Sequence, residues 1–227
     1  MSDSPVAVVR VNSKGAARVD SGHPWIFGSD VIDRRGASPG DAVTVVDAQG
    51  RALGTAHFSA SSQICLRMLS RRVEDIDRGF FARRLEAAAD LRRRVVADST
   101  AFRLVYGEAD GLPGLVVDRY GEYLVLQALD QGMDRATPEI VACLQEMFAP
   151  AGIMARNDGA VRTKENLQLS VSVIAGEVPE RVPVRMHGLE LHADLAHGQK
   201  TGVYLDQREN YVAAARYAHG HALDCFT

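Results

Sequence analysis

Two spacings of apolar residues take turns along this chain. Up to about residue 72 they alternate with polar residues in short runs, as in "AVVRVN", "DAVTVVDAQGRALGTAHFS" and "QICLRMLS". A period of two is the mark of half-buried strands, so this stretch predicts a compact β-rich unit over residues 5–72. Its clearest hairpin turn is "AQGR", where Gly50 is free to take a positive φ. From about Glu74 to Val96 the spacing changes to three and four, through Phe80, Phe81, Leu85, Ala88 and Leu91. That pattern predicts an amphipathic helix with its arginines on the wet side, linking residues 73–100. Asp75 and Asp77 stand near its start, where the helix dipole favours negative charge.

Period two returns over residues 101–178. "PGLVVDRYGEYLVLQAL" reads as a hairpin around Arg119–Glu122, and "TPEIVACLQEMF" as a helix capped by Thr137 with Pro138 in its first position. Strands around "GIMAR" and "QLSVSVIAG" complete a β-β-α-β-β unit. Pro179 and Pro183 then mark a boundary. Beyond it come the hairpin-like "VRMHGLELHADL", the polar stretch "HGQKTGVYLDQREN", a helix over "NYVAAARYA" and a strand over "HALDCF". In an open α/β sheet such a strand feeds a glycine-rich turn and a helix, and nucleotide-like cofactors bind at its end.

Composition narrows the classes. The 46% apolar and 24% charged content is that of a globular protein, and no apolar run of about 18 residues is present. The start has no basic segment followed by a long apolar one, which argues against a secretory signal. Three scattered cysteines make neither a disulfide framework nor a metal site. A cytoplasmic protein with no membrane partner and no metal is expected. The net charge of −3 hides an asymmetry: the first hundred residues sum to +3, the rest to −6. Only three of the 26 basic residues are lysines. Arginine suits bidentate contact with phosphate, but its heavy use is equally a matter of genome composition.

Three stretches could carry chemistry. "SGHPWIFGSD" places Trp25 and Phe27 beside His23, with Lys14 and Arg18 nearby. Aromatics there would stack on unpaired bases while the cations meet phosphates, unless the rings are simply core. "RNDGAVRTKEN" is a turn made basic by Arg156, Arg162 and Lys164, facing either RNA or solvent. "HGQKTGVYLDQREN" gathers Gln199, Lys200, Thr201, Tyr204, Asp206 and Arg208 before a helix, a setting that can offer backbone N–H groups to an anion. It has no Walker spacing. Cys143 reads as core, and Cys225 as a buried, inert thiol.

Taken in order, "GHPWIFGSDV", "SASSQICLRML", "GEADGLPGLVVDRYGEYLVLQ", "RNDGAVRTKENL", "HGQKTGVYLDQREN" and "ALDCFT" resemble blocks of the RlmI-type family. Those are S-adenosylmethionine-dependent methyltransferases that make 5-methylcytosine in 23S ribosomal RNA. The resemblance implies an α+β front part, made of a PUA-like RNA-binding β-barrel over 5–72 and a central β-β-α-β-β domain over 101–178. The incomplete start of an α/β Rossmann-like methyltransferase domain would follow over 182–227. It further implies ribosomal RNA as partner and S-adenosylmethionine as cofactor. Gln199, Thr201, Tyr204, Asp206, Arg208, Asp224, Phe226 and Thr227 would serve the cofactor. Lys14, Arg18, His23, Trp25, Arg156, Arg162, Lys164 and Lys200 would serve the RNA.

In the family the nucleophilic cysteine lies past the position of Thr227, so no catalytic residue is expected here. The chain is then expected to be the front of a longer enzyme, inactive alone. Residues after about 182 are expected to be frayed, mispaired, self-associating or completed by a separate C-terminal chain. Two other readings stay open: a non-catalytic RNA-binding adaptor of PUA type, and a fragment of a different Rossmann-type enzyme.

Overall fold

The structure is a computed structural model, and it describes residues 7–221 together with Leu223 and Cys225. Strands β1 (Val8–Val11), β2 (Trp25–Phe27), β3 (Val31–Asp33), β4 (Ala42–Val46), β5 (Ala52–Phe58) and β6 (Ile64–Ser70) form the first sheet. Their order is β2-β6-β5-β4-β1-β3, and β1 pairs with β4 in parallel while the other pairs are antiparallel. Alternation along the strands turns Val9, Val11, Val43, Val45 and Leu66 inward. A short helix, α1 (Ser13–Asp20), closes over them with Ala16 and Val19. The strand pattern alone does not anticipate it. It starts because the Asn12 side chain accepts from the Gly15 N–H at 2.9 Å. Gly50 takes φ +92 in the β4–β5 turn, as its position predicts.

Helix α2 (Arg78–Val95) begins at Asp77, whose carboxylate accepts from the Phe80 N–H at 2.8 Å. The second sheet follows: β7 (Ala101–Tyr106), β8 (Leu115–Tyr120), β9 (Tyr123–Ala128), β10 (Gly152–Asn157) and β11 (Ser170–Gly176), ordered β11-β10-β9-β8-β7. It holds one strand more than β-β-α-β-β, the added one being β7. Tyr120 pairs with Tyr123, so the β8–β9 turn is Gly121–Glu122, tighter than the four residues expected. Helix α3 (Gln131–Phe148) carries the crossover between the parallel pair β9 and β10. It starts well before Thr137, because the Asp130 carboxylate caps it by accepting from the Met133 N–H at 2.8 Å. Pro138 therefore lies inside the helix, where it forgoes one backbone bond. A single turn, α4 (Val161–Lys164), precedes β11.

The two faces of the second sheet are covered differently. Leu115, Val117, Leu124, Leu126 and Ile153 pack under α2 and α3, against Leu85, Ile140 and Leu144. On the opposite face lies the hairpin of β12 (Val182–Met186) and β13 (Leu189–Ala193). Its Val182, Val184, Met186 and Ala193, with Leu195, pack on Ala101, Tyr120, Val125 and Met154. Residues 182–195 are thus a packed layer and not a frayed tail. The reason is their period-two burial, which finds an apolar sheet face within the chain. The turn is His187–Gly188 with φ +50 and +77, the handedness a two-residue hairpin loop requires. Helix α5 (Arg208–Ala215) is shorter than "NYVAAARYA" suggests. Cys225 is exposed, against the expectation of a buried thiol. The terminal strand falls largely outside the described residues, as do Asp224, Phe226 and Thr227.

Candidate functional site

Two recesses share one aromatic residue. The first is a groove of about 510 Å³ between the two sheets, walled by Trp25, Ile64 and Arg67 on one side and by Tyr106, Glu108, Leu129 and Val161 on the other. The indole N–H of Trp25 donates to Glu108 Oε1 at 2.7 Å. His23 Nδ1 accepts from the Trp25 backbone N–H at 3.1 Å, and its ring meets the indole edge-on at 5.8 Å. Trp25 is half-buried, neither a core residue nor a free one. Arg18 stacks over Phe27 at 4.9 Å and pairs with Asp30 at 3.1 Å, while Lys14 is exposed.

The second recess, of about 770 Å³, opens where the end of α2 and strands β7 and β8 meet segment 200–209. Arg92, Arg103, Tyr106, Asp118, Lys200, Thr201, Asp206 and Arg208 line it. Its back wall is a buried polar knot. Asp118, fully buried on β8, accepts from Arg103 at 2.8 and 3.1 Å and from the Thr201 hydroxyl at 2.6 Å. The Tyr120 hydroxyl lies 2.8 Å from Thr201 Oγ1, and burial pushes its pKa up to about 12, so it stays a neutral partner. At the rim, Lys200 pairs with Asp206 at 2.7 Å, and this bond holds the carboxyl below its ordinary value. Arg208 donates to the Ala97 carbonyl at 2.7 Å, tying the segment to the end of α2.

The sequence-predicted residues divide accordingly. Lys200, Thr201, Asp206 and Arg208 do converge on one recess. Thr201, only 1% exposed, acts as an anchor of its wall. Gln199 and Tyr204 bond to each other and stand outside its lining. Lys164 is exposed. Arg156 and Arg162 are 6% and 3% exposed, which corrects the expectation that they face RNA. Arg156 donates to the carbonyls of Leu195 at 3.0 Å and Gly198 at 3.2 Å, holding the start of the polar segment against β10. Arg162 donates to the carbonyls of Gln168 at 3.0 Å and of Ala128, and pairs with Asp134 at 2.8 Å. Sequence reasoning missed Arg92, Arg103, Tyr106, Glu108 and Asp118. The available signal was Asp118 itself, a carboxylate at an inward position of the apolar run "LVVDRY".

A buried ionic cluster joins the sheets behind the groove. Arg67, opposite Trp25 in the β2–β6 register, pairs with Glu165 at 2.7 Å and approaches Asp130 at 3.5 Å. Glu165 also accepts from Ser59 Oγ at 2.6 Å, and Gln131 donates to the Glu165 carbonyl at 2.7 Å. The relative placement of the two sheets is therefore fixed by polar contacts as well as by chain connection.

Residues 9–71 match the family model described as a PUA-like domain. Ribosomal RNA large subunit methyltransferase I of Erwinia tasmaniensis is 42% identical over 211 residues, covering 90% of this chain and 53% of that protein. The proteins of the same name from Shigella boydii and Escherichia coli are 39% identical with the same coverage. Among solved structures, one named as a SAM-dependent methyltransferase from Streptococcus mutans superposes with a TM-score of 0.75 at 21% identity, covering 89% of this chain and 52% of that one. Another, a methyltransferase complexed with SAH, superposes at 0.76. The architecture is thus that of a PUA-like unit followed by a part shared with methyltransferases. The chain is similar to the ribosomal RNA large subunit methyltransferase I proteins, and it spans about half the length of the curated relatives it matches.

Proposed function

We propose that this chain is the RNA-docking part, and one wall of the cofactor cleft, of an S-adenosylmethionine-dependent methyltransferase acting in the cytoplasm on a cytosine of large-subunit ribosomal RNA. The observation that carries the reading is the shared Tyr106: the recess lined by the polar 200–209 segment and the groove holding Trp25 meet at this one ring. A ligand site and an RNA-facing surface are thereby adjacent.

The recess suits the cofactor in size, since small-molecule sites run to about 300–1,000 Å³. Its donor set suits it as well. Asp206, kept ionised by Lys200, is an acceptor for sugar hydroxyls, and Tyr106 and Phe102 offer ring surface. S-adenosylmethionine, when bound, supplies an electrophilic methyl group. The chain's own residues do the positioning: Asp118, Tyr120 and Thr201 fix the back wall, while Arg156 and Arg208 hold the two ends of the segment. Asp224, Phe226 and Thr227 would add further cofactor contacts. Cys65 and Cys143 do not provide the nucleophile, because burial raises both thiols above their ordinary value and keeps them protonated at neutral pH.

The test is nucleoside mass spectrometry of 23S RNA from cells lacking the gene. One 5-methylcytidine is expected to disappear, to return with the wild-type gene, and to stay low with Asp206→Ala. An unchanged methylation profile on deletion, with RNA binding intact, would leave the adaptor reading in its place.

A further inference from the structure

We infer that the groove between the two sheets is a subsite that reads a guanine in single-stranded RNA, with the Glu108 carboxylate as the base-reading group. The inference rests on the RNA-docking reading and adds to it a base identity.

A carboxylate on a surface that meets polyanionic RNA is at first sight misplaced, since it repels phosphate. It becomes favourable only if it faces a base edge rich in donors. Glu108 is exposed and lines a groove whose walls are otherwise mainly apolar, with Ile64, Leu129 and Val161 among them. Trp25 holds it there through the indole N–H at 2.7 Å. That bond uses one lone pair of Oε1, and a carboxylate offers about four, so among the described residues Oε2 and half of Oε1 have no other partner and can accept. Guanine is the common base whose pairing edge carries two neighbouring donors, N1–H and the 2-amino group, matched to the two oxygens of one carboxylate. Cytosine and adenine offer one amino group each, and uracil one imide N–H. Among the described residues the one cation in the groove wall is Arg67, which is already engaged by Glu165 and Asp130 and so does not neutralise Glu108.

The flanking rings supply what a base subsite needs besides hydrogen bonds. Trp25 lines one side, and Tyr106, 58% exposed, the other. Arg103 lies 5.2 Å from the Tyr106 ring centroid. Stacking surfaces of this kind accept any base, so selectivity falls to Glu108. Because Tyr106 also lines the larger recess, the guanine so held would sit within a nucleotide or two of the residue that enters the recess.

The full chain is titrated by fluorescence anisotropy with heptanucleotides of uridine carrying one central G, A, C or inosine. The G-containing RNA is expected to bind about tenfold tighter than the A- and C-containing ones, within the range for a bidentate base contact. Inosine, lacking the 2-amino group, is expected to fall between. Glu108→Gln keeps an oxygen for the Trp25 indole but replaces one acceptor with a donor. It is expected to abolish the preference while binding of the all-uridine RNA stays equal or improves. Circular dichroism melting confirms that the variant is folded. Binding of all four RNAs with equal affinity overturns the guanine subsite and leaves the docking reading standing. Absence of any salt-dependent RNA binding overturns both.

Discussion

His57 and Asp130 face each other at 4.0 Å behind the groove, both buried, with His57 Nδ1 and Asp130 Oδ2 lacking hydrogen-bond partners among the described residues. Burial, helped by the Arg67 charge, pushes His57 down to about 3. Burial also raises Asp130 to about 6, against the opposing pull of Arg67 and the N–H groups of Met133 and Gly132, with Glu165 adding to the rise. A lowered histidine gives stability that is complete above its ordinary 6.5 and is lost as pH falls toward 3. A raised carboxyl does the reverse, so its folded form gains as pH falls from about 6 to its ordinary 3.8. In the window between, the folded pair and the unfolded pair each hold one proton, and their contributions cancel. Wild-type stability is expected to be nearly flat from about pH 6 to about pH 4 as far as these groups go. Asp130→Asn retains a capping side chain but removes the compensation. It should lose stability below about pH 6.5 with a slope approaching 1.4 kcal/mol per pH unit, read by urea unfolding across that range. A slope equal to wild type would mean that the two groups are not coupled to folding in this way. Arg162 belongs to the same scale: Arg162→Ala should cost about 2–3 kcal/mol through orphaned carbonyls, while RNA affinity stays unchanged.

Among the elements, the β12–β13 hairpin carries the largest revision. Its interior amides should exchange slowly in a dilute monomer, and Met186→Ala, at a site 3% exposed, should cost about 2–5 kcal/mol in chemical denaturation. Fast exchange throughout 182–193 would restore the frayed tail. Helix α3 gives a second test, because a side chain at Gly132 would collide with the His57 ring. Gly132→Ala is expected to lower stability by about 1–3 kcal/mol even though alanine is the better helix former.

These two elements also show what was legible beforehand. The hairpins at 41–59, 113–129 and 184–195 are legible in the sequence, since alternating strands and glycine turns are local signals. The start of α3 departs from the sequence expectation because Thr137–Pro138 is a strong local start signal. What overrides it is Asp130, whose capping role depends on burial beneath β5. Helix α1 was hidden by its brevity and by Gly15. For Arg156 and Arg162 the spacing promised a basic surface loop. Their true partners are backbone carbonyls of remote segments, which have no sequence signature.

For the molecule as a whole, charge is unevenly shared, and only the first hundred residues are net positive. RNA affinity should accordingly fall with rising salt. Lys14→Ala should reduce the slope of log affinity against log salt by about one, and Trp25→Ala should weaken every sequence by about 1–3 kcal/mol without lowering the melting temperature much. A loss of melting temperature in place of affinity would identify Trp25 as a packing residue.

The pairing of Arg67 with Glu165 spans 98 positions of the chain. During synthesis the first sheet emerges complete while its innermost cation still has no counter-charge, and at about 5–20 residues per second that interval lasts about 5–20 s. A nascent chain stalled once Arg67 has left the exit tunnel and before Glu165 has done so would then carry a solvated guanidinium where the finished protein has a dry one. Resistance of the first sheet to protease on the ribosome should therefore rise in two stages, the second only after Glu165 has cleared the exit tunnel.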